Sequence, residues 1–552
     1  MTLDTLIAIF ALFAAAYAII PRSMRLTLGL RVGVFHWVVI AMCLVLVHIL
    51  LFYSILQEKC IFPSPLCVIP KWPFEDKIFS PGQAAYILLL IGLVILVFGF
   101  SFSGLSRSKI FKFQRLIAEL IHSKDYANLF ALIDNNLNIL CRVEQQNFFL
   151  NRIRNRFIYF NKSIDFDELA MMASGNFPKL SRYNKIKKST RKIISSIFDW
   201  IGKFSPSYDQ HAEAAHDVLH QIFTSRPVVR EIASTRPYFA LKLLDTGIYE
   251  IEDFLDIYLR FLIGDKYSIL YFELKNNQNV SSSNLYEIPK SNRLLYYFFS
   301  DAKKSESLGV WGPIGEVIIE RLDELSVNQK NDPYNKSMGS FMDSGQWEDP
   351  IFVGIFFFDV MVSTALHQGV AWHMWLYHYQ YFTERIVNNY RIDGDSIDEM
   401  AEWPTKYSYF IYKIISSLAG WLRATISLPS DQENILIKEG ANVHENGNIA
   451  KSAAFVLINC IKEIVVSPHI TINFCNYIAG IVFEIYFRLR NNPKTELLAT
   501  VIRSRMCGPH YPGDDSRIAF CSKLRICFEQ HDKIHYPDDH VQEFERAISS
   551  VS

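Results

Sequence analysis

The sequence predicts a mainly α-helical protein, with three N-terminal transmembrane helices followed by a large helical cytoplasmic body, either solenoid-like or an irregular bundle. Three observations lead there. Apolar stretches at residues 3–20, 32–56 and 84–102 dominate the first 105 positions, and nothing later is as long and clean. Chain breakers are scarce, with 24 glycines and 21 prolines in 552 residues, about 8% against a usual ~12%. Apolar residues also recur at intervals of three and four through the body, as in 113–121 and 126–133, which is the period of an α-helix with one buried face.

Each of the three stretches is about as long as a helix must be to cross roughly 30 Å of hydrocarbon. In that medium the backbone has to pair within its own segment. A cleaved signal peptide is the rival reading of 3–20. That stretch has Asp4 in place of a basic leader, and it ends in Ile19, Ile20 and Pro21 without a small-residue cleavage pattern. Arg22, Arg25 and Arg31 lie in the first loop with no acid, and Arg107, Lys109, Lys112 and Arg115 follow the third stretch. Between the second and third stretches, Lys59, Lys71 and Lys77 are balanced by Glu58, Glu75 and Asp76. Positive charge favours the cytoplasmic side, so residues 1–105 are expected to anchor the chain in an inner or plasma membrane. The N-terminus would lie outside and the body in the cytoplasm.

Cys60 and Cys67 are the only cysteines of the outward loop, which also holds Pro63, Pro65, Pro70, Pro73 and Pro81. In an oxidising compartment this pair closes readily into a disulfide, whereas cytoplasmic thiols stay reduced. His48 is the ionisable group deepest in a span. Such groups mark proton or substrate paths in some membrane proteins; a neutral imidazole bonded to a neighbouring span is the plainer reading.

The chain has 56 basic and 56 acidic residues, unevenly placed. Residues 106–205 form a basic juxtamembrane helical region with 18 Lys and Arg against 8 Asp and Glu. Its densest part, Lys185, Lys187, Lys188, Arg191 and Lys192, runs into an apolar stripe with Trp200. That pattern suits a helix lying on the membrane surface, and equally a core helix with a charged outer face. Nucleic acid is an unfavoured partner, because basic residues alone carry no specificity.

Two helical lobes are expected beyond it, 206–335 and 336–552, with a divide in the loop 326–347. The periodicity predicts helices over 209–224, 228–244, 251–262, 315–325, 351–389, 408–426, 449–466 and 472–490, and one short strand over 267–274. Ser207 with Gln210 and Asp539 with Gln542 have the spacing of capping boxes. The run 351–382 has one charge, Asp359, among crowded aromatics; it reads as a buried core helix, with a binding groove or further membrane passage as alternatives.

Candidate chemistry is thin. His216 and His220 are four apart, so a helix would present both imidazoles to one zinc ion, with Asp217 between them as base. Cys507 and His510, followed by Cys521 and Cys527, offer further zinc-ligand types at spacings that match no compact zinc knuckle. No phosphate loop, dinucleotide fingerprint or serine nucleophile elbow occurs. No cofactor is expected, zinc being the one these residues would admit.

These features predict a non-enzymatic, membrane-anchored helical interaction protein: a sensor, scaffold or effector whose body binds a protein partner in the cytoplasm, with the spans holding the lipid bilayer and able to form a homo-oligomer. By analogy of architecture, such a build suits a bacterial stress or phage-defence pathway. A membrane-bound metal-dependent hydrolase using His216, Asp217 and His220 is the first rival. An oligomeric channel or membrane-permeabilising effector sensitive at His48 is the second.

Overall fold

The computed structural model describes residues 11, 18–19, 22–31, 34–53, 80–102, 105, 109–145, 208–247, 251–281, 283–327, 332–370, 375–392, 401–428, 449–508 and 515–549. Among them the protein is helical, with 21 α-helices, two short 3-10 turns and no strand beyond an isolated bridge between Val280 and Tyr286. It divides into two compact units, Met1–Val228 and Val229–Ser552.

The first unit contains two apolar helices, α2 (Val34–Leu51) and α3 (Pro81–Phe102), preceded by α1 (Arg22–Arg31). Nearly all of the stretch 3–20 lies outside the described residues. Helices α2 and α3 pack on each other through Val47 and Ala85, flanked by Leu50, Leu51, Leu88 and Leu89. Cys43 lies against Gly92, where an added Cβ would meet the Cys43 Sγ at 3.0 Å. Higher numbers on one helix thus face lower numbers on the other, the register of an antiparallel hairpin. Beyond it, α4 (Ile110–His122), α5 (Tyr126–Glu144) and α6 (Tyr208–Thr224) pack mutually, and α1 packs on α5.

The second unit opens with short helices: α7 (Arg226–Thr235), α8 (Pro237–Leu244), α9 (Ile251–Gly264), α10 (Ile269–Asn276), α11 (Arg293–Phe299) and α12 (Ala302–Leu308). The single helix expected over 228–244 is two. Pro237 supplies no amide to continue the ladder, and Arg236 before it is extended at φ −140°. The strand expected over 267–274 is helix α10, because Leu270, Tyr271 and Leu274 are buried at helical spacing and not in alternation.

Next come α13 (Trp311–Val327), α14 (Pro350–His367), α15 (Tyr377–Asn389), α16 (Lys406–Ser427), α17 (Ile449–Val466), α18 (Ile472–Arg490), α19 (Glu496–Cys507), α20 (Asp515–Gln530) and α21 (Asp538–Ser549). The run expected over 351–389 is two helices, the first ending at a Gly369 with φ +71°. The boundaries of α17 and α18 are those the periodicity predicts. Odd-numbered helices pack in succession (α13 on α15, α15 on α17, α17 on α19, α19 on α21), and so do even-numbered ones (α14 on α16, α16 on α18, α18 on α20). The two rows face each other, as in a stack of helix pairs.

The loop 326–347, expected to divide two lobes, lies inside this second unit. The Asp332 carboxylate accepts from the Tyr407 hydroxyl at 2.6 Å, and Asn335 Nδ2 donates to the Asn389 carbonyl at 2.8 Å. Helix 206–224 belongs to the first unit. Ser207 of the first expected capping box lies outside the described residues; Asp539 of the second sits within the first turn of α21, whose Val541 amide donates to the Pro537 carbonyl.

Candidate functional site: a bare apolar hairpin and a buried carboxylate

The hairpin buries one stripe of each helix and leaves the opposite stripe bare. On α2, Val38, Met42, Val45, Leu46 and Ile49 are exposed; on α3, Ile87, Leu90, Ile91 and Val94 are exposed. These recur at three and four residues, so each forms a continuous apolar face. Leaving such side chains half in water forgoes on the order of 1 kcal/mol each, whereas hydrocarbon imposes no such cost. His48 is also on an exposed face. Its Nδ1 donates to the Leu44 carbonyl of its own helix at 3.0 Å, so the bond expected to a neighbouring span is satisfied within α2.

Arg22, at the start of α1, pairs with Asp125 at the start of α5 at 3.1 Å. The segment before α2 and the layer after α3 are therefore joined in one packed body.

His216 and His220 stack at 6.0 Å between ring centroids on α6. His216 Nδ1 lies 3.7 Å from the Glu144 carboxylate. The Asp217 carboxylate accepts from Gln114 Nε2 at 2.9 Å, which ties this side chain to α4. Among the described residues no three His, Cys, Asp or Glu side chains converge as a metal site. His510 lies outside the described residues. Cys507, Cys521 and Cys527 are buried in α19 and α20. Burial pushes the Cys507 thiol up to about 12 and the Cys527 thiol up to about 11, away from the thiolate form that binds metal or attacks an electrophile. His531 Nε2 lies 3.1 Å from the Tyr536 hydroxyl and His540 Nδ1 2.7 Å from the Asn491 Oδ1.

Cys60 and Cys67 lie outside the described residues, as do Lys185, Lys187, Lys188, Arg191, Lys192 and Trp200. Cys43, Cys141, Cys460, Cys475, Cys507, Cys521 and Cys527 are all free thiols.

Helix α14 is the one helix among the described residues long and apolar enough to cross a membrane by composition, with mean hydropathy 1.7, yet 83% of it is buried within the protein. Helices α10, α11, α12, α13 and α16 all pack on it. Gly315 of α13 and Gly354 of α14 make room at this centre, since a Cβ would collide with the His378 ring at the first and with Ile318 at the second. Asp349 caps the helix by accepting from the Ile351 and Phe352 amides.

The lone charge of that helix is a polar node. Asp359 accepts from the Tyr286 hydroxyl at 2.7 Å and from Trp421 Nε1 at 2.9 Å. Tyr286 is delivered by a turn with Asn284 at φ +59°, whose carbonyl accepts from Ser363 Oγ and whose amide group donates to the Gly420 carbonyl. Burial raises the Asp359 carboxyl above its ordinary value, opposed by the Tyr286 hydrogen bond and the Lys413 charge. Burial in turn lowers the Lys413 ammonium. Sequence spacing hides this node, because Tyr286 and Asp359 are 73 residues apart; the only signal was a solitary acid in an apolar run. With both oxygens occupied, Asp359 joins α14, α16 and the Asn284 turn, and offers no free acid or base.

No family model, no curated protein and no solved structure matches this chain.

Proposed function

We propose that this is a membrane-anchored helical interaction protein, held in the bilayer by its N-terminal hairpin and binding a protein partner through its stacked helical body. The observation that carries the anchor is the pair of bare apolar stripes on α2 and α3. A hairpin with a tightly packed inner seam and an apolar exterior is suited to lipid as its outer solvent. The Arg22–Asp125 ion pair supports placing the start of α2 and the end of α3 on one side of the membrane, and the excess of basic residues in 106–205 supports calling that side cytoplasmic.

The partner-binding role rests on the double row of helices from α13 to α21, because stacks of this kind present extended surfaces to other proteins. Tyr267 and Phe272 also stand bare at the start of α10. A sensor, scaffold or effector would use such a surface alike.

Alkaline carbonate extraction of membranes, followed by affinity capture and mass spectrometry after gentle solubilisation, tests both halves. The expected result is a chain that resists carbonate and carries one protein partner in stoichiometric amount. Release by carbonate overturns the anchor. A pure chain bearing stoichiometric zinc, or one that conducts ions in vesicles without a partner, overturns the interaction role.

A further inference from the structure

Helix α4 begins eight residues after the last residue of α3, so its first turns are the part of the helical layer closest in the chain to the hairpin. They are basic. Lys109 occupies the position before the helix without a capping hydrogen bond, and the first turn contains no acid. Lys112 and Arg115 are exposed on the same face as Phe111. Among the described residues, neither Lys112 nor Arg115 has an acidic partner within ion-pair distance. Positive side chains at a helix start oppose the helix dipole, and their mutual repulsion adds to that cost. Burial, with the Lys112 charge beside it, holds the Lys109 ammonium below its ordinary value. On its own terms this arrangement weakens α4. An anionic surface in contact with it would relieve both effects, and the adjacent apolar stripe of α3 supplies one by continuity.

We infer that Lys109, Lys112, Arg115 and Phe111 form a docking face for anionic phospholipid headgroups, with the Phe111 ring entering the interface between them. The inference rests on the anchor reading and adds lipid selectivity to it. Phe111 stacks at 5.1 Å from His211 of α6, so the face is braced from behind. Each charge near an anionic surface contributes about fivefold in affinity at low salt, and salt screens it over about 10 Å at 0.1 M.

The test is native mass spectrometry of the full-length protein in detergent with added phosphatidylglycerol or phosphatidylcholine, for the natural chain and for Lys112→Gln/Arg115→Gln. The natural chain should retain phosphatidylglycerol at about tenfold or more over phosphatidylcholine, and the double variant should lose that preference. Its thermal midpoint should hold or rise, because two charges unfavourable to the helix are gone. Equal retention of the two lipids by the natural chain overturns the inference, as does an unchanged preference in the variant. A fall in thermal midpoint would make the two cations structural and overturn it also. Carbonate extraction of the same chains separates the two readings: a chain that stays in the membrane yet shows no lipid preference defeats this face alone, whereas release of the natural chain defeats the anchor and this face with it.

Discussion

Helices α3 and α14 are built from the same kind of residue and end in opposite surroundings. Both are apolar along their length, yet α3 leaves Ile87, Leu90, Ile91 and Val94 bare, while α14 is wrapped by helices on several sides. The difference lies in what interrupts them. Helix α14 carries Asp359 and ends in His367, whose ring nitrogens reach the Ser363 and Ser283 carbonyls at 2.8 and 3.0 Å. Helix α3 has no charged residue at all. A polar group in an otherwise apolar helix demands partners, and partners arrive only from other parts of a folded chain. Hydropathy alone would rank the two together; their polar punctuation tells them apart.

The largest test of that contrast is Ile91→Glu/Val94→Glu on the bare stripe. Two carboxylates there should cost several kcal/mol of insertion, about 2.5–3.5 each near a helix centre, and carbonate should then release the chain. Insertion undiminished by both charges would mean the stripe faces protein or water.

A middle-sized effect is expected from Asp359→Leu. It makes α14 more apolar, and yet it should destabilise the solubilised protein by about 2–3 kcal/mol, because the Tyr286 hydroxyl and the Trp421 amine lose their acceptor. Leu90→Ala on α3 is the matched control and should change the denaturation midpoint in detergent by less than about 0.5 kcal/mol. Equal effects at the two positions would erase the distinction.

How much of this was legible in the sequence follows the same line. The ends of α17 and α18 were readable because each helix buries a regular stripe and stops at polar or prolyl residues. The hairpin was readable from its composition. The failures lie where distant residues decide: the 267–274 run looked β-like until Leu270, Tyr271 and Leu274 found a common core, and the break at Pro237 hid inside a good apolar period. Asp359 stood out in the sequence, but Tyr286 and Trp421 could not be assigned to it, since no local pattern links residues more than 60 apart. The same holds for Asp217, readable as a base beside two histidines and in fact engaged by Gln114.

The smallest effect is a pH dependence at the centre of the second unit. Burial holds the His378 ring below its ordinary pKa of 6.5, stacked on Phe358 with Nδ1 near the Trp375 carbonyl. Above pH 6.5 the ring is neutral in both states, and its contribution to stability is complete. As pH falls below that value, the unfolded chain takes a proton that the native ring resists. Stability should then fall by at most about 1.4 kcal/mol per pH unit until the native ring also titrates. His378→Gln should flatten this slope in denaturant titrations run between pH 7 and 5. A slope untouched by the substitution would assign the acid sensitivity to other groups.

The double row from α13 to α21 has a mechanical consequence. Each helix leans mainly on its immediate neighbours along the stack, so a small rotation at one interface need not be repeated at the next. Nine helices in succession can sum such increments into a substantial change of curvature without breaking any single interface, as a coiled spring extends with little strain in any one turn. A partner lying along the stack would therefore meet a surface whose pitch adjusts to it, and would do elastic work in proportion to how far the stack must flex.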